Sequence, residues 1–125
     1  MGLVILDSSV LIAALNPKDA HHEAALKSNT VGVQFIISAI SITELMPRAI
    51  KEGSDDSVWT ALTAMVHHVV DVNSSLAMSA AQIRSSDGLK TPDAIISATA
   101  RAEGAELWTF DAKLAKATPG ARCLA

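Results

Sequence analysis

The segment Gly2–Leu6 is apolar at every position and stops at an acid, Asp7. A strand with one wet face alternates apolar and polar side chains, whereas a strand covered on both faces runs apolar throughout, as in a parallel sheet layered by helices. This run therefore constrains the fold before anything else does. Three further segments, 33–37, 68–72 and 106–110, have strand character, and helical spacing with end signals fills the stretches between them. Ser8 and Ser9 offer caps for a helix over 10–15, which Asn16 and Pro17 close, and Asp19 opens a second helix over 19–28. Ser38 opens a third, whose apolar stripe is Ile42, Leu45, Met46, Ala49 and Ile50; Pro47 should kink it by removing a backbone donor. Helices follow over 57–67, from Asn73 or Ser74 to 84, and over 91–102 with Thr91 as cap, Pro92 at the first helical position and Gly104 as stop. Residues 29–32, 53–56 and 85–90 read as loops or turns, and Ala112–Ala117 as a last short helix. The alternation predicts an α/β fold, three-layer α/β/α with a mainly parallel central sheet.

The chain has 125 residues, the size of one domain, so residues 1–125 are expected to form a single unit. Half of them are hydrophobic and 18% charged, which excludes a disordered chain. Two Phe, two Trp and no Tyr leave an aliphatic interior and argue against a reader of single strands built on aromatic platforms. Cys123 is the only cysteine, so neither an internal disulfide nor a thiolate cluster is possible within the chain. With no charged leader before an apolar segment, and no apolar run near the roughly 20 residues a membrane helix needs, the expected location is cytoplasmic without membrane contact.

Parallel strands place their carboxyl ends on one edge of the sheet, and ligands bind in the crevice there. Asp7 and Asp111 each follow a strand and so share that edge. Asp93 stands in the first turn of its helix, and Glu44 lies opposite the apolar stripe of the helix from Ser38. An all-oxygen donor set suits a hard cation such as Mg2+ or Mn2+, and phosphodiester cleavage benefits from such ions. Without one the acids repel each other, so a cation should stabilise the fold. Each acid also has a plain structural role. Asp7 and Asp111 can cap the helices after them, Asp93 suits a helix dipole, and Glu44 can pair with Arg48. The net charge of −3 looks poor for contact with a phosphate backbone, but setting aside four cation-holding acids leaves the remainder at +1.

Val4-Ile5-Leu6-Asp7-Ser8-Ser9, the stretch from Ser38 through Thr43-Glu44-Leu45, Thr91-Pro92-Asp93 with the six residues 94–99 and Ala100, and Leu107-Trp108-Thr109-Phe110-Asp111 resemble, in order and separation, the acidic motifs of PIN-domain ribonucleases, especially VapC-type toxins. The resemblance implies a metal-dependent endoribonuclease with Asp7, Glu44, Asp93 and Asp111 holding Mg2+ or Mn2+, and with Ser8 and Thr109 as accessory hydroxyls that order the acids and water. It also implies an RNA substrate, a homodimer, and silencing by a cognate antitoxin that inserts a segment near the active site. Leu114, where the family often has an aromatic residue, Pro47 beside Glu44 and the few bases depart from the pattern.

Two other readings compete with nuclease action. One is a PIN-like domain that binds RNA or protein without cutting. The other is a phosphoacceptor signalling domain, suggested by Asp71 after a short strand, although that fold needs an acidic pair after its first strand and here one acid precedes two serines. The adjacent pairs His21-His22 and His67-His68 point about 100° apart on a helix and cannot share an ion, so they read as solvated or helix-end residues. Arg48, Lys51, Arg84 and Arg101 read as scattered surface bases, and Trp59, Trp108 and the methionines as core or dimer-face residues. No glycine-rich phosphate loop or serine nucleophile elbow occurs.

Overall fold

In a computed structural model, which describes residues 2–26 and 31–124, five parallel strands form one sheet in the order β3-β2-β1-β4-β5. The strands are β1 Gly2–Leu6, β2 Val33–Ser38, β3 His68–Val70, β4 Glu106–Thr109 and β5 Arg122–Cys123. Among the described residues seven helices connect them: α1 Ser8–Leu15, α2 His22–Leu26, α3 Ala39–Glu52, α4 Asp55–Met65, α5 Ser74–Asp87, α6 Thr91–Glu103 and α7 Ala112–Ala117. β1 lies at the centre, with Val4 opposite Phe35 of β2 and Ile5 opposite Leu107 of β4.

Side chains leave a strand on alternate faces, and here both faces are dry. Ile5, Ile36 and Leu107 point to one side and pack with Leu76 and Ile83 of α5 and Ile96 of α6. Val4, Leu6, Ile37 and Trp108 point to the other and pack with Leu11, Leu45 and Leu62 of α1, α3 and α4. The three-layer α/β/α arrangement follows from that division, and it explains why β1 reads as an unbroken apolar run. Among the described residues no helix is long and apolar enough to cross a membrane.

Differences from the sequence reading are local. Asp7, rather than Ser8 or Ser9, caps α1, its carboxylate accepting the Ser8 N–H at 2.8 Å. The expected helix end at 28 and the loop from 29 to 30 lie outside the described residues. α3 runs through Pro47 without a break in its helical backbone. Pro47 and Thr43 are both exposed, so water can reach the carbonyl that lacks its intrahelical donor. The buried row of α3 is Ser41, Leu45 and Ala49, while Ile50, expected in the stripe, is 61% exposed. α5 continues through residues 85–87, which the sequence suggested as loop, until Gly88 adopts a left-handed conformation (φ 66°) and ends it. Thr91 is a helical residue and Lys90 the N-cap, without a side-chain capping bond. β5 is two exposed residues on the sheet edge, too short and polar to announce itself as a strand.

Candidate metal centre at the carboxyl edge of the sheet

Asp7 begins where β1 ends. Its backbone N–H continues the sheet by donating to the Trp108 carbonyl (3.0 Å), and its side chain turns into the crevice with only 6% exposure. Both carboxylate oxygens are used. Oδ1 accepts from Ser8 N (2.8 Å), and Oδ2 accepts the hydroxyls of Ser9 (2.8 Å) and Thr109 (2.7 Å). Buried carboxylates persist only when satisfied in this way.

Thr109, the last residue of β4, is fully buried and couples two acids: its hydroxyl donates to Asp7 Oδ2 and accepts the backbone N–H of Asp111 (3.0 Å). Asp111 is exposed and caps α7, Oδ1 accepting from Lys113 N (2.9 Å) and Leu114 N (3.3 Å). Thr109→Val keeps the shape but strips a buried partner from Asp7 and from the Asp111 N–H. Leaving such groups unpaired costs about 1–3 kcal/mol, so the denaturation midpoint should fall, whereas Thr109→Ser should restore most of it. A Val variant as stable as the parent would remove this bridging role.

Glu44 enters from α3. It does not pair with Arg48, as the sequence allowed; Arg48 Nε binds Glu52 instead (2.9 Å). Glu44 Oε1 accepts the Ser8 hydroxyl (2.7 Å), and Ser8 Oγ also meets Ser41 Oγ at 3.1 Å. A hydroxyl has one proton, so with Ser8 donating to the carboxylate, Ser41 must donate to Ser8. Ser41 and Ser9 were missed as site residues. The available signals were the Ser9 position two after Asp7 and the i, i+3 spacing of Ser41 and Glu44, which puts them on one helix face.

Asp93 stands half-buried in the first turn of α6, whose seven following residues, Ala94 to Ala100, are all buried. Among the described residues no side-chain hydrogen bond reaches it. Burial pushes its carboxyl above the usual carboxylate range, and the negative charges of Asp7, Asp111 and Glu44, in that order, push it further; Lys90 opposes them. The structure thus draws all four sequence-predicted acids into one electrostatic neighbourhood, from four separate elements. It does not close them into a ligand sphere: among the described residues no three acids, histidines or cysteines stand close enough to clasp one ion. The donors are oxygens throughout, which matches a hard cation whose arrival would offset the repulsion on Asp93.

Other candidates fall elsewhere. Asp71 is exposed after β3, an edge strand two positions from β1 in the sheet. His67 and His68 are exposed, and His21 and His22 stand at the start of α2, as helix-end residues: His22 Nδ1 contacts the Ala13 carbonyl (2.6 Å) and the His21 ring stacks on Phe110.

The profile of the PIN domain family matches residues 4–118 of the chain. No curated protein sequence matches it significantly. Among solved structures, the chain resembles a toxin–antitoxin complex from Klebsiella pneumoniae with 27% identity and a TM-score of 0.83, over 98% of each chain. VapBC from Salmonella typhimurium, bound to DNA, shares 22% identity at a TM-score of 0.71 over 98% of this chain and 97% of that one. VapC20 from Mycobacterium tuberculosis, described as a sarcin-ricin loop cleaving toxin, shares 17% identity at 0.70 over 91% and 94%.

Proposed function

Because the chain belongs to the PIN domain family, whose profile spans residues 4–118, we propose that it is a divalent-cation-dependent endoribonuclease and the toxin of a toxin–antitoxin pair, with residues 1–125 as one nuclease domain acting as a homodimer. The observation that carries this reading is the placement of Asp7 and Asp111 after the neighbouring strands β1 and β4, joined through Thr109, with Glu44 tied to the same edge by Ser8 and Asp93 within reach of their charges. Four acids from four elements at the carboxyl edge of a parallel sheet, one of them disfavoured as a carboxylate by the charges of the other three, form a site that a counter-charge would stabilise. Asp7, Glu44, Asp93 and Asp111 are the proposed ligands of Mg2+ or Mn2+. When bound, such an ion supplies a water activated for attack on a phosphodiester and charge to steady the leaving oxygen.

The chain's own groups set the geometry. Ser9 and Thr109 fix both faces of the Asp7 Oδ2 atom, Thr109 fixes the turn into Asp111, and Ser8, backed by Ser41, aims Glu44. Beside Glu44 a groove of about 480 Å³ runs between α1, α3 and α4, lined by Ile12, Leu15, Leu45, Ala49 and Val58 with Arg48 at its rim. It is the proposed seat of an antitoxin segment; the likeness to a toxin–antitoxin complex from Klebsiella pneumoniae supports an antitoxin partner.

Purified protein should cleave cellular RNA in Mg2+ or Mn2+ and stop in chelator; cleavage that persists in chelator would refute the metal requirement. The ion should also raise the melting temperature, since a ligand at about a hundredfold its Kd contributes about 2.7 kcal/mol. Expression should arrest bacterial growth until the antitoxin is supplied. The open spacing of the acids favours one rival, a domain that binds RNA without cutting, and RNA binding with no cleavage under any divalent ion would select it.

A further inference from the structure

His21 has no part in the centre described above, yet it is held with care. Its backbone N–H donates to Asp19 Oδ1 (2.8 Å), and the neighbouring His22 ring ties the same turn to the Ala13 carbonyl of α1. So fixed, the exposed His21 ring stacks on half-buried Phe110, with centroids 4.5 Å apart and planes 21° from parallel. The Phe110 backbone N–H donates to Ser9 Oγ (3.4 Å), and Ser9 donates to Asp7 Oδ2, while Asp111 is the next residue in the chain. The stack therefore stands two hydrogen bonds from one proposed cation ligand and adjacent in sequence to another. One imidazole face lies on Phe110, and the residue as a whole is exposed.

The arginines of the fold are already engaged. Each of the four arginines already has a partner: Arg48 with Glu52, Arg84 Nε with the Leu89 carbonyl (3.4 Å), Arg101 with the Ala117 carbonyl (2.7 Å) and Asp87 (3.7 Å), and Arg122 above the Trp108 ring (4.9 Å). Phe35 and Trp108 pack edge to face on each other, and Trp108 is buried. The few aromatics exclude an extended base platform, but they leave this one short stack at the acid edge.

We propose that His21, backed by Phe110, receives a nucleobase of single-stranded RNA beside the phosphate that the acids engage. The inference rests on the ribonuclease reading and adds a base-binding residue to it. A base stacks on an aromatic ring with little regard to its identity, so the residue should contribute affinity without sharp sequence preference, about tenfold to a hundredfold. The base lies one sugar away from its phosphate, which matches a stack placed next to the acids rather than among them.

The test is equilibrium binding of short oligomers of adenosine, cytidine or uridine, and of an abasic ribose-phosphate oligomer, to the Asp93→Asn protein in Mg2+, with and without a change at His21. His21→Ala should weaken the oligomers that carry bases by about tenfold or more and leave the abasic one unchanged, while His21→Phe should stay near the parent. Equal losses for base-bearing and abasic oligomers, no loss at all, or failure of the parent to bind any oligomer would overturn the proposal. So would a His21→Ala protein that binds RNA normally but escapes antitoxin inhibition, since the stack would then face a protein. Binding is read without turnover, so these outcomes are separable from failure of the ribonuclease reading, which shows as intact cellular RNA with wild-type protein in Mg2+ or Mn2+.

Discussion

Asp93→Asn should remove RNA cleavage and, in chelator, melt at a higher temperature than the wild type. Burial and the charges of Asp7, Asp111 and Glu44 disfavour the Asp93 carboxylate in the folded chain, so its pKa lies above the ordinary 3.8. Between those two values the folded state binds more protons than the unfolded one, and stability falls as pH rises through that window. The contribution of Asp93 to the stability of the metal-free wild type should therefore be lost as pH rises through its raised pKa. Asn carries no charge to repel, so the variant should lose that slope as well as gain stability at neutral pH. The catalytic cost runs the other way. A missing cation ligand forfeits several kcal/mol of charge stabilisation, and each 1.36 kcal/mol is tenfold in rate, so cleavage should drop by about 10²- to 10³-fold or more. Melting curves across pH in chelator, paired with cleavage assays in Mg2+, test both halves. An Asp93→Asn protein that cleaves normally, or melts below the wild type without metal, contradicts the account.

The parts of this site that depend on sheet topology were legible in the chain, and the parts that depend on helix rotation were not. β1 reads as an unbroken apolar run because both of its faces are covered, and parallel order then places Asp7 and Asp111 on one edge with no knowledge of packing. Glu44 is different. Whether it faces the crevice depends on how α3 rolls onto the sheet, and that roll buries Ser41, Leu45 and Ala49 while leaving Ile50 in water. Periodicity alone cannot choose between stripes one residue apart, so the family resemblance located Glu44 and spacing did not. The hydroxyl partners show the same limit. Thr109 was found through its motif, but Ser41 gains its role only because α1 and α3 bring Ser8 to it across 33 residues of sequence. His21 reads as a solvated or helix-end residue, and it does stand exposed just before α2; what the sequence could not show is that the turn after α1 sets its ring on Phe110, 89 residues away. β5 is held by pairing with β4 rather than by its own two residues.

Asp7 offers the sharpest separation of structure from chemistry, because it is both the N-cap of α1 and a proposed cation ligand. Asn caps a helix about as well as Asp, so Asp7→Asn should keep the bond from Ser8 N. Its amide nitrogen can occupy the place of Oδ2 and donate to the Ser9 and Thr109 hydroxyls, at the cost of the acceptor that the buried Thr109 proton now has. The fold should survive while cleavage falls by about 10²- to 10³-fold. Asp7→Ala should be equally inactive but also unstable. It loses the cap, at about 0.5–2 kcal/mol, and strands the buried Thr109 hydroxyl, at about 1–3 kcal/mol. Asp7 is also the charge that acts most strongly on Asp93, so Asp7→Asn in chelator should shrink the pH slope of stability that Asp93 produces. A purely structural Asp7 predicts the opposite pattern: an Asn variant that cleaves RNA like the wild type and keeps its pH slope.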